Sequence, residues 1–109
     1  MRVQIAARHC EIPDKVRGRT EEQIGRLIRY EPRLSAAEIV FDTVKHTKRV
    51  EAVLSIDRDE PVVASGEGTE FKAALDQMVD RLSRILRRRR SQVRDHHGRK
   101  PTEEAIPEE

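Results

Sequence analysis

The chain has 109 residues, 39% of them charged and 36% hydrophobic, which predicts one domain with a modest core and a highly charged surface. The formal net charge is only +2 at pH 7, and Cys10 is the only cysteine, which excludes an intramolecular disulfide framework and a thiol-rich metal site. No apolar run approaches the length of a membrane span and the first residues alternate in polarity, so we expect a cytoplasmic protein.

The first 30 residues predict a strand followed by a helix. Residues 2–8 alternate in polarity, as in a half-buried strand with its odd-numbered residues facing inward. A helical pattern then runs to Tyr30, because the residue before Pro32 is pushed out of the α region. At the start of the helix, Pro13 either occupies the first helical position or precedes Asp14 as the N-cap. The predicted buried stripe consists of Val16, Thr20, Ile24 and Leu27.

Three further alternating runs follow this helix. They predict strands at residues 37–44, 49–57 and 61–68. The loops between them, at residues 45–48 and 58–60, are short. Short connections between alternating runs predict antiparallel hairpins.

A second helix is predicted from Phe71 to Arg94, with Thr69 as its N-cap. Its apolar residues recur every three or four positions on one stripe, namely Phe71, Ala74, Leu75, Met78, Val79, Leu82, Ile85 and Leu86. The opposite side changes from acidic to basic and ends in the run of arginines at residues 87–90. At about 100° per residue this run covers every azimuth, and Arg89 falls on the extension of the apolar stripe. We therefore predict that the last turns project beyond the core.

The order β-α-β-β-β-α predicts an α+β fold in which two helices pack on one face of a four-stranded sheet. This arrangement resembles the double-stranded RNA-binding fold. Residues 1–94 are expected to form the domain, and residues 95–109 a disordered polar and acidic tail. The tail either only solubilises the chain, or its glutamates compete with RNA for the arginines.

The basic residues are segregated along the chain. Residues 81–100 contain many arginines and a single acid, Asp95, and the first helix is predicted to present a second basic face opposite its buried stripe. Such asymmetry indicates nucleic acid or another polyanion, and the alternative is an ordinary solvated helix end. Arginine and lysine bind phosphates without base-specific contacts. The predicted RNA-binding residues are Arg81, Arg84, Arg87, Arg88, Arg90 and Arg94 in the second helix, and Lys15, Arg19, Arg26 and Arg29 in the first.

The composition also bears on which RNA would be bound and on other chemistry. Tyr30, Phe41 and Phe71 are the only aromatic residues, too few for a platform on which single strands stack, so structured RNA fits better. The pairs at residues 9–10 and 96–97 have no recognisable spacing to a third metal ligand. We expect no metal, no cofactor, no small-molecule substrate and no catalysis.

Several segments in this order resemble the ribosome hibernation-promoting factor and ribosome-associated translation inhibitor family, over about residues 1–94. The most specific family signature is an aromatic residue, an Ala-Ala-hydrophobic-Asp segment, a basic-Leu pair and a basic helix end. In this sequence it reads Phe71-Lys72-Ala73-Ala74-Leu75-Asp76, then Asp80-Arg81-Leu82, then Arg87-Arg88-Arg89-Arg90. Weaker similarities are Glu11-Ile12, Val16-Arg17, Arg26-Leu27 with Tyr30, Arg49-Val50-Glu51-Ala52 and Val63-Ala64-Ser65.

The resemblance implies a monomeric, non-enzymatic protein that binds rRNA in the channel between the head and body of the small ribosomal subunit. There it would cover the positions of mRNA and tRNA and inhibit translation by idle ribosomes in stationary phase or under stress. The chain resembles a short family member without the C-terminal dimerisation domain. Two alternatives stay open: a protein-binding regulator, such as a modulator of a transcription factor, and a general binder of structured RNA.

Overall fold

The computed structural model describes the backbone of residues 1–98 and the side chains of residues 1–90. The elements in order are β1 (Arg2–Arg8), α1 (Asp14–Arg26), a 3₁₀ turn (Leu27–Arg29), β2 (Leu34–Val44), β3 (Thr47–Ile56), β4 (Val62–Gly68) and α2 (Phe71–Gly98). This order and the single four-stranded sheet confirm the predicted α+β fold. Neither helix in the described part of the chain is long and apolar enough to cross a membrane.

The sheet has the strand order β1-β2-β3-β4. β1 and β2 are parallel, with α1 as the crossover between them, while β2-β3 and β3-β4 are the predicted antiparallel hairpins. The first hairpin turns at Lys45 and His46, whose φ angles of 48° and 68° are typical of a two-residue type I′ turn. The observed loop is therefore shorter than the predicted one at residues 45–48, because β3 already begins at Thr47.

Both helices cover the same face of the sheet. One inward row across the strands consists of Ile5, Ile39, Ala52 and Ala64, as the strand register places them opposite one another. The predicted stripe of α2 is confirmed, because all its residues are buried except Ile85, which is partly buried. The Phe71 ring meets the Phe41 ring edge to face, with the centroids 5.4 Å apart, which joins the start of α2 to the middle of the sheet.

The N-termini of both helices differ from the predictions. Pro13 itself occupies the N-cap position of α1, with extended ψ of 154° and no side-chain hydrogen bond, and its carbonyl accepts from the backbone N–H groups of Val16 and Arg17. The proline ring already fixes φ near −65°, so extended backbone at this position costs little. α2 begins at Phe71, so that Glu70, and not Thr69, precedes its first residue.

α2 also continues beyond its predicted end. Its last residue is Gly98 rather than Arg94, so the helix includes residues 95–98 of the predicted tail. Ser91 to His97 contains neither proline nor glycine, and the first helix-breaking residue is Gly98. The rest of the predicted tail, residues 99–109, lies outside the described residues.

α2 packs very closely against the edge strand β4. A Cβ atom added to Gly66 would lie 2.2 Å from the Ala74 carbonyl oxygen and 2.7 Å from the Met78 nitrogen. Two α2 side chains also bind the outward-pointing backbone of β4. The Gln77 side-chain oxygen accepts from the Glu67 N–H at 2.9 Å, and Arg81 Nη1 donates to the Ser65 carbonyl at 2.7 Å.

We predict that Gly66→Ala lowers the free energy of unfolding by about 1–3 kcal/mol or more, because the added methyl group meets rigid helix backbone. Urea denaturation followed by circular dichroism measures this change. Gly25→Ala is the matched control, since nothing lies within 4 Å of a Cβ there. In α1 it should raise the free energy of unfolding by up to about 1 kcal/mol. A Gly66→Ala protein as stable as the wild type would contradict the close approach.

Candidate RNA-binding surface

The two helices lie side by side and run in the same direction. Near their first turns, Arg19 Nη2 is 3.0 Å from Asp76 Oδ1. Just after α1 ends, Arg90 Nη1 of α2 donates to the Arg29 carbonyl oxygen at 3.1 Å. The C-terminal end of α1 therefore lies beside the part of α2 around Arg90, and α2 continues beyond this point to Gly98. The last carbonyls of α1, which lack a helical partner, favour cations there.

Three of the predicted RNA-binding residues are already paired with carboxylates. Arg19 forks onto Asp76, with Nε at 3.2 Å and Nη2 at 3.0 Å from Oδ1. The other pairs are Arg26 with Glu22 at 3.4 Å and Arg84 with Asp80 at 3.1 Å, each one helical turn apart. The prediction that Arg19 points away from the buried stripe is wrong, since it lies against α2.

A second group of predicted residues has no such partner. None of its members makes an ion pair with a carboxylate of residues 1–90. All are solvent-exposed; one comes from the 3₁₀ turn that follows α1 and the others from the part of α2 beside it. Their described hydrogen bonds go to backbone carbonyls, such as that from Arg87 Nε to the Ser83 oxygen at 3.4 Å. We call this group the arginine end, and it consists of Arg29, Arg87, Arg88 and Arg90.

The structure does not bring the remaining predicted residues to this end. Lys15 is exposed in the first turn of α1, about 16 Å along the helix axis from Arg26. Arg81 is exposed but turned towards β4 by its hydrogen bond to Ser65. Arg94 belongs to α2, and its side chain lies outside the described residues.

Arg89 attaches α2 to two loops rather than projecting from it. Its side chain is only 23% exposed and contacts the carboxylates of Glu31, at 3.6 Å, and Asp59. Arg33 reaches the same two acids, at 3.2 Å and 3.6 Å. The prediction that the whole run from Arg87 projects beyond the core is therefore wrong at this position. A guanidinium on the extension of the apolar stripe is stable there because two carboxylates meet it.

Glu31 is the most enclosed acid of this network, with a side chain 14% exposed. Burial on its own would raise the pKa of the carboxyl group. Hydrogen bonds from the Arg33 side chain and backbone, together with the charges of Arg33 and Arg89, outweigh it and lower the pKa below its usual value. The ionised form is therefore favoured by folding.

The uncovered face of the sheet has a different electrostatic character. Arg8, Asp42, Arg49 and Glu67 form one row of alternating charge across the four strands. Arg49 Nη1 lies 2.9 Å from the Glu67 carboxylate, and the hydrogen bond from His9 lowers the pKa of Asp42. None of the aromatic residues lies on this face. Its charges largely compensate one another, so the helix side is the candidate surface for an anionic partner.

The comparison with protein families decides the classification. A family model described as "Sigma 54 modulation protein / S30EA ribosomal protein" matches residues 3–94. The chain belongs to this family. Among its relatives in this family is a protein from Azotobacter vinelandii named ribosome hibernation promoting factor, 29% identical over 98% of this chain and 100% of that protein. A protein of the same name from Pseudomonas putida is 30% identical over 81% of this chain and 85% of its own length.

Solved structures of other proteins have the same fold. The Thermus thermophilus Protein Y N-terminal domain superimposes with a TM-score of 0.72 at 28% identity, over 81% of this chain and 98% of that one. A ribosomal subunit interface protein from Coxiella burnetii gives a TM-score of 0.77, over 84% of this chain and 99% of that one. At 21% identity, the second comparison bears on the fold alone.

The network around Glu31 predicts a pH-dependent contribution to stability. Because folding lowers the pKa of Glu31, its stabilisation is present at neutral pH and is lost as the pH falls through the folded-state pKa. We expect Glu31→Gln to lower the free energy of unfolding by about 1–3 kcal/mol at pH 7, measured by urea denaturation. The difference from wild type should shrink towards pH 3.

Glu22→Gln is the matched control for this prediction, because it removes a carboxylate from an exposed pair on the surface of α1. It should change the free energy of unfolding by no more than about 0.5 kcal/mol. A Glu31→Gln effect of the same size at pH 7 and pH 3 would contradict an electrostatic role for Glu31.

Proposed function

We propose that this protein is a ribosome hibernation factor. It binds the rRNA of the small ribosomal subunit, between head and body, and covers the positions of mRNA and tRNA, so that idle ribosomes do not translate. Membership of the family supports this, as do the names of the relatives from Azotobacter vinelandii and Pseudomonas putida. The proposal places the protein in the cytoplasm and treats it as a monomer.

The arginine end is the observation that carries the proposal. Four guanidinium groups, one from the 3₁₀ turn after α1 and three from α2, are exposed without a carboxylate partner among residues 1–90. Guanidinium groups fork onto phosphate oxygens, and each phosphate that is neutralised releases counterions from the RNA. A surface of this kind gains affinity from the backbone of folded RNA and needs no base-specific contact.

The three aromatic residues support structured RNA over single strands as the ligand. Phe41 and Phe71 are buried in the core, and Tyr30 is partly buried between arginines. No row of exposed rings is present among the described residues on which successive bases would stack. The helix pair offers fixed charges at fixed spacing instead.

The experiment for this proposal is sedimentation of the pure protein with ribosomes and separated subunits through sucrose gradients. We expect the protein to travel with small subunits and whole ribosomes, and to be displaced by mRNA and tRNA. Equal binding to both subunits would contradict the proposed position. Equal affinity for plain duplex RNA and for small subunits would instead favour the general RNA binder.

A second candidate is a regulator that uses the same helices to bind an acidic protein. The description of the family model, which names sigma 54 modulation, favours it as an alternative. Affinity capture from a lysate, with and without nuclease, separates the two candidates. Capture of ribosomal proteins that is lost after nuclease treatment supports the ribosome, whereas capture of a transcription factor that survives nuclease supports the regulator.

The division between paired and unpaired arginines predicts which of them dominate binding. We expect the double variant Arg87→Gln, Arg88→Gln to weaken binding to small subunits by at least about 100-fold, since each of the two charge-assisted contacts contributes about 1.5–3 kcal/mol. The slope of log K against log salt should become shallower by about 0.7–0.9 for each phosphate contact that is lost. Filter binding across a salt series measures both quantities.

The double variant Arg19→Gln, Arg26→Gln is the matched control, because it removes the same charge from residues that Asp76 and Glu22 already neutralise. Its loss of affinity should be at least tenfold smaller. If both double variants lose affinity and salt dependence equally, the arginine end has no special role.

A further inference from the structure

Tyr30 is the aromatic residue that the RNA-binding surface encloses. It follows the 3₁₀ turn at the end of α1, and its partly buried ring packs against the hydrophobic core. The Arg29 guanidinium carbon lies 6.0 Å from the ring centroid, and that of Arg87 lies 5.8 Å from it. One ring thus contacts a cation from the 3₁₀ turn after α1 and a cation from α2.

The contact of the Tyr30 ring with both guanidinium groups offsets the repulsion between their positive charges. Two guanidinium groups held near one another repel, and free arginine side chains at exposed helix ends would move apart. The negative face of an aromatic ring attracts cations within about 6 Å of its centroid. Arg90 adds a third constraint, because its hydrogen bond to the Arg29 carbonyl ties α2 to the backbone next to Tyr30.

We propose that Tyr30 is a positioning residue for rRNA binding: its ring holds Arg29 and Arg87 in place to receive phosphate groups of folded RNA. This inference rests on the proposed function. Fixing a flexible side chain in a complex costs conformational entropy, and two arginines already held by a ring lose less of it on binding. Tyr30 contributes no charge and contacts phosphate only through its neighbours.

The test replaces the ring and keeps every charge. Tyr30→Leu and Tyr30→Met both retain an apolar side chain against the core but remove the aromatic face. Each should weaken binding to small subunits by roughly 5- to 50-fold, as expected for two side chains that must now be ordered on binding. Tyr30→Phe keeps the face and should restore wild-type affinity, which a role for the hydroxyl group would not permit.

Two further measurements separate positioning from a merely structural role. The salt dependence of binding should stay at its wild-type slope in Tyr30→Leu, because the number of cations is unchanged. Arg87→Gln should cost several-fold less affinity in the Tyr30→Leu background than in the wild type, since the two residues act as one unit. Circular dichroism and urea denaturation identify which of the two apolar variants is folded, and binding is compared with that one.

The outcomes are distinct. Wild-type affinity in a folded Tyr30→Leu or Tyr30→Met protein overturns the positioning role but leaves the proposed function intact. Equally weak binding by Tyr30→Phe, or fully additive losses with Arg87→Gln, also overturns it. Failure of the wild-type protein to bind small subunits overturns both proposals at once.

Discussion

The close approach of α2 to β4 is the constraint on which the rest of the surface depends. Because residue 66 lacks a side chain, the helix backbone lies directly on the strand, and the stripe from Phe71 to Leu86 reaches the inward rows of the sheet. At the other end of the sheet, Arg89 joins the helix to the acids of two loops. Because α2 is held at both places, these contacts determine the direction of its last turns and therefore the position of the exposed arginines.

The charge pattern shows why the net charge of +2 says little about this protein. The carboxylates are distributed unevenly over the basic residues, since Glu22, Asp76 and Asp80 neutralise arginines that precede the arginine end along the chain. The arginine end has no such partners among residues 1–90. A nearly neutral chain can therefore present a concentrated positive region, and the acids that surround it limit the region to one end of the molecule.

Local sequence patterns predicted those parts of the fold that depend on local physics. Alternation gave the strands, and three- and four-residue spacing gave the stripe of α2, because burial on one face imposes these periods. Contacts between distant segments were not predictable in this way. Arg19 and Asp76 are 57 residues apart in the sequence, and nothing near Arg19 indicates that an acid will meet it. The same holds for Tyr30 and Arg87, whose contact requires that both helices run in parallel.

The α2 side chains that bind the backbone of β4 affect how two copies of this protein can pair through their sheets. An exposed edge strand offers its free backbone groups to a strand of another molecule. Here the Gln77 and Arg81 side chains already occupy the Glu67 N–H and the Ser65 carbonyl, so these two groups are not free to pair with another strand. Open-ended growth of a sheet from molecule to molecule needs two available edges. The occupied groups on β4 therefore disfavour growth of the sheet beyond a pair of copies joined through β1.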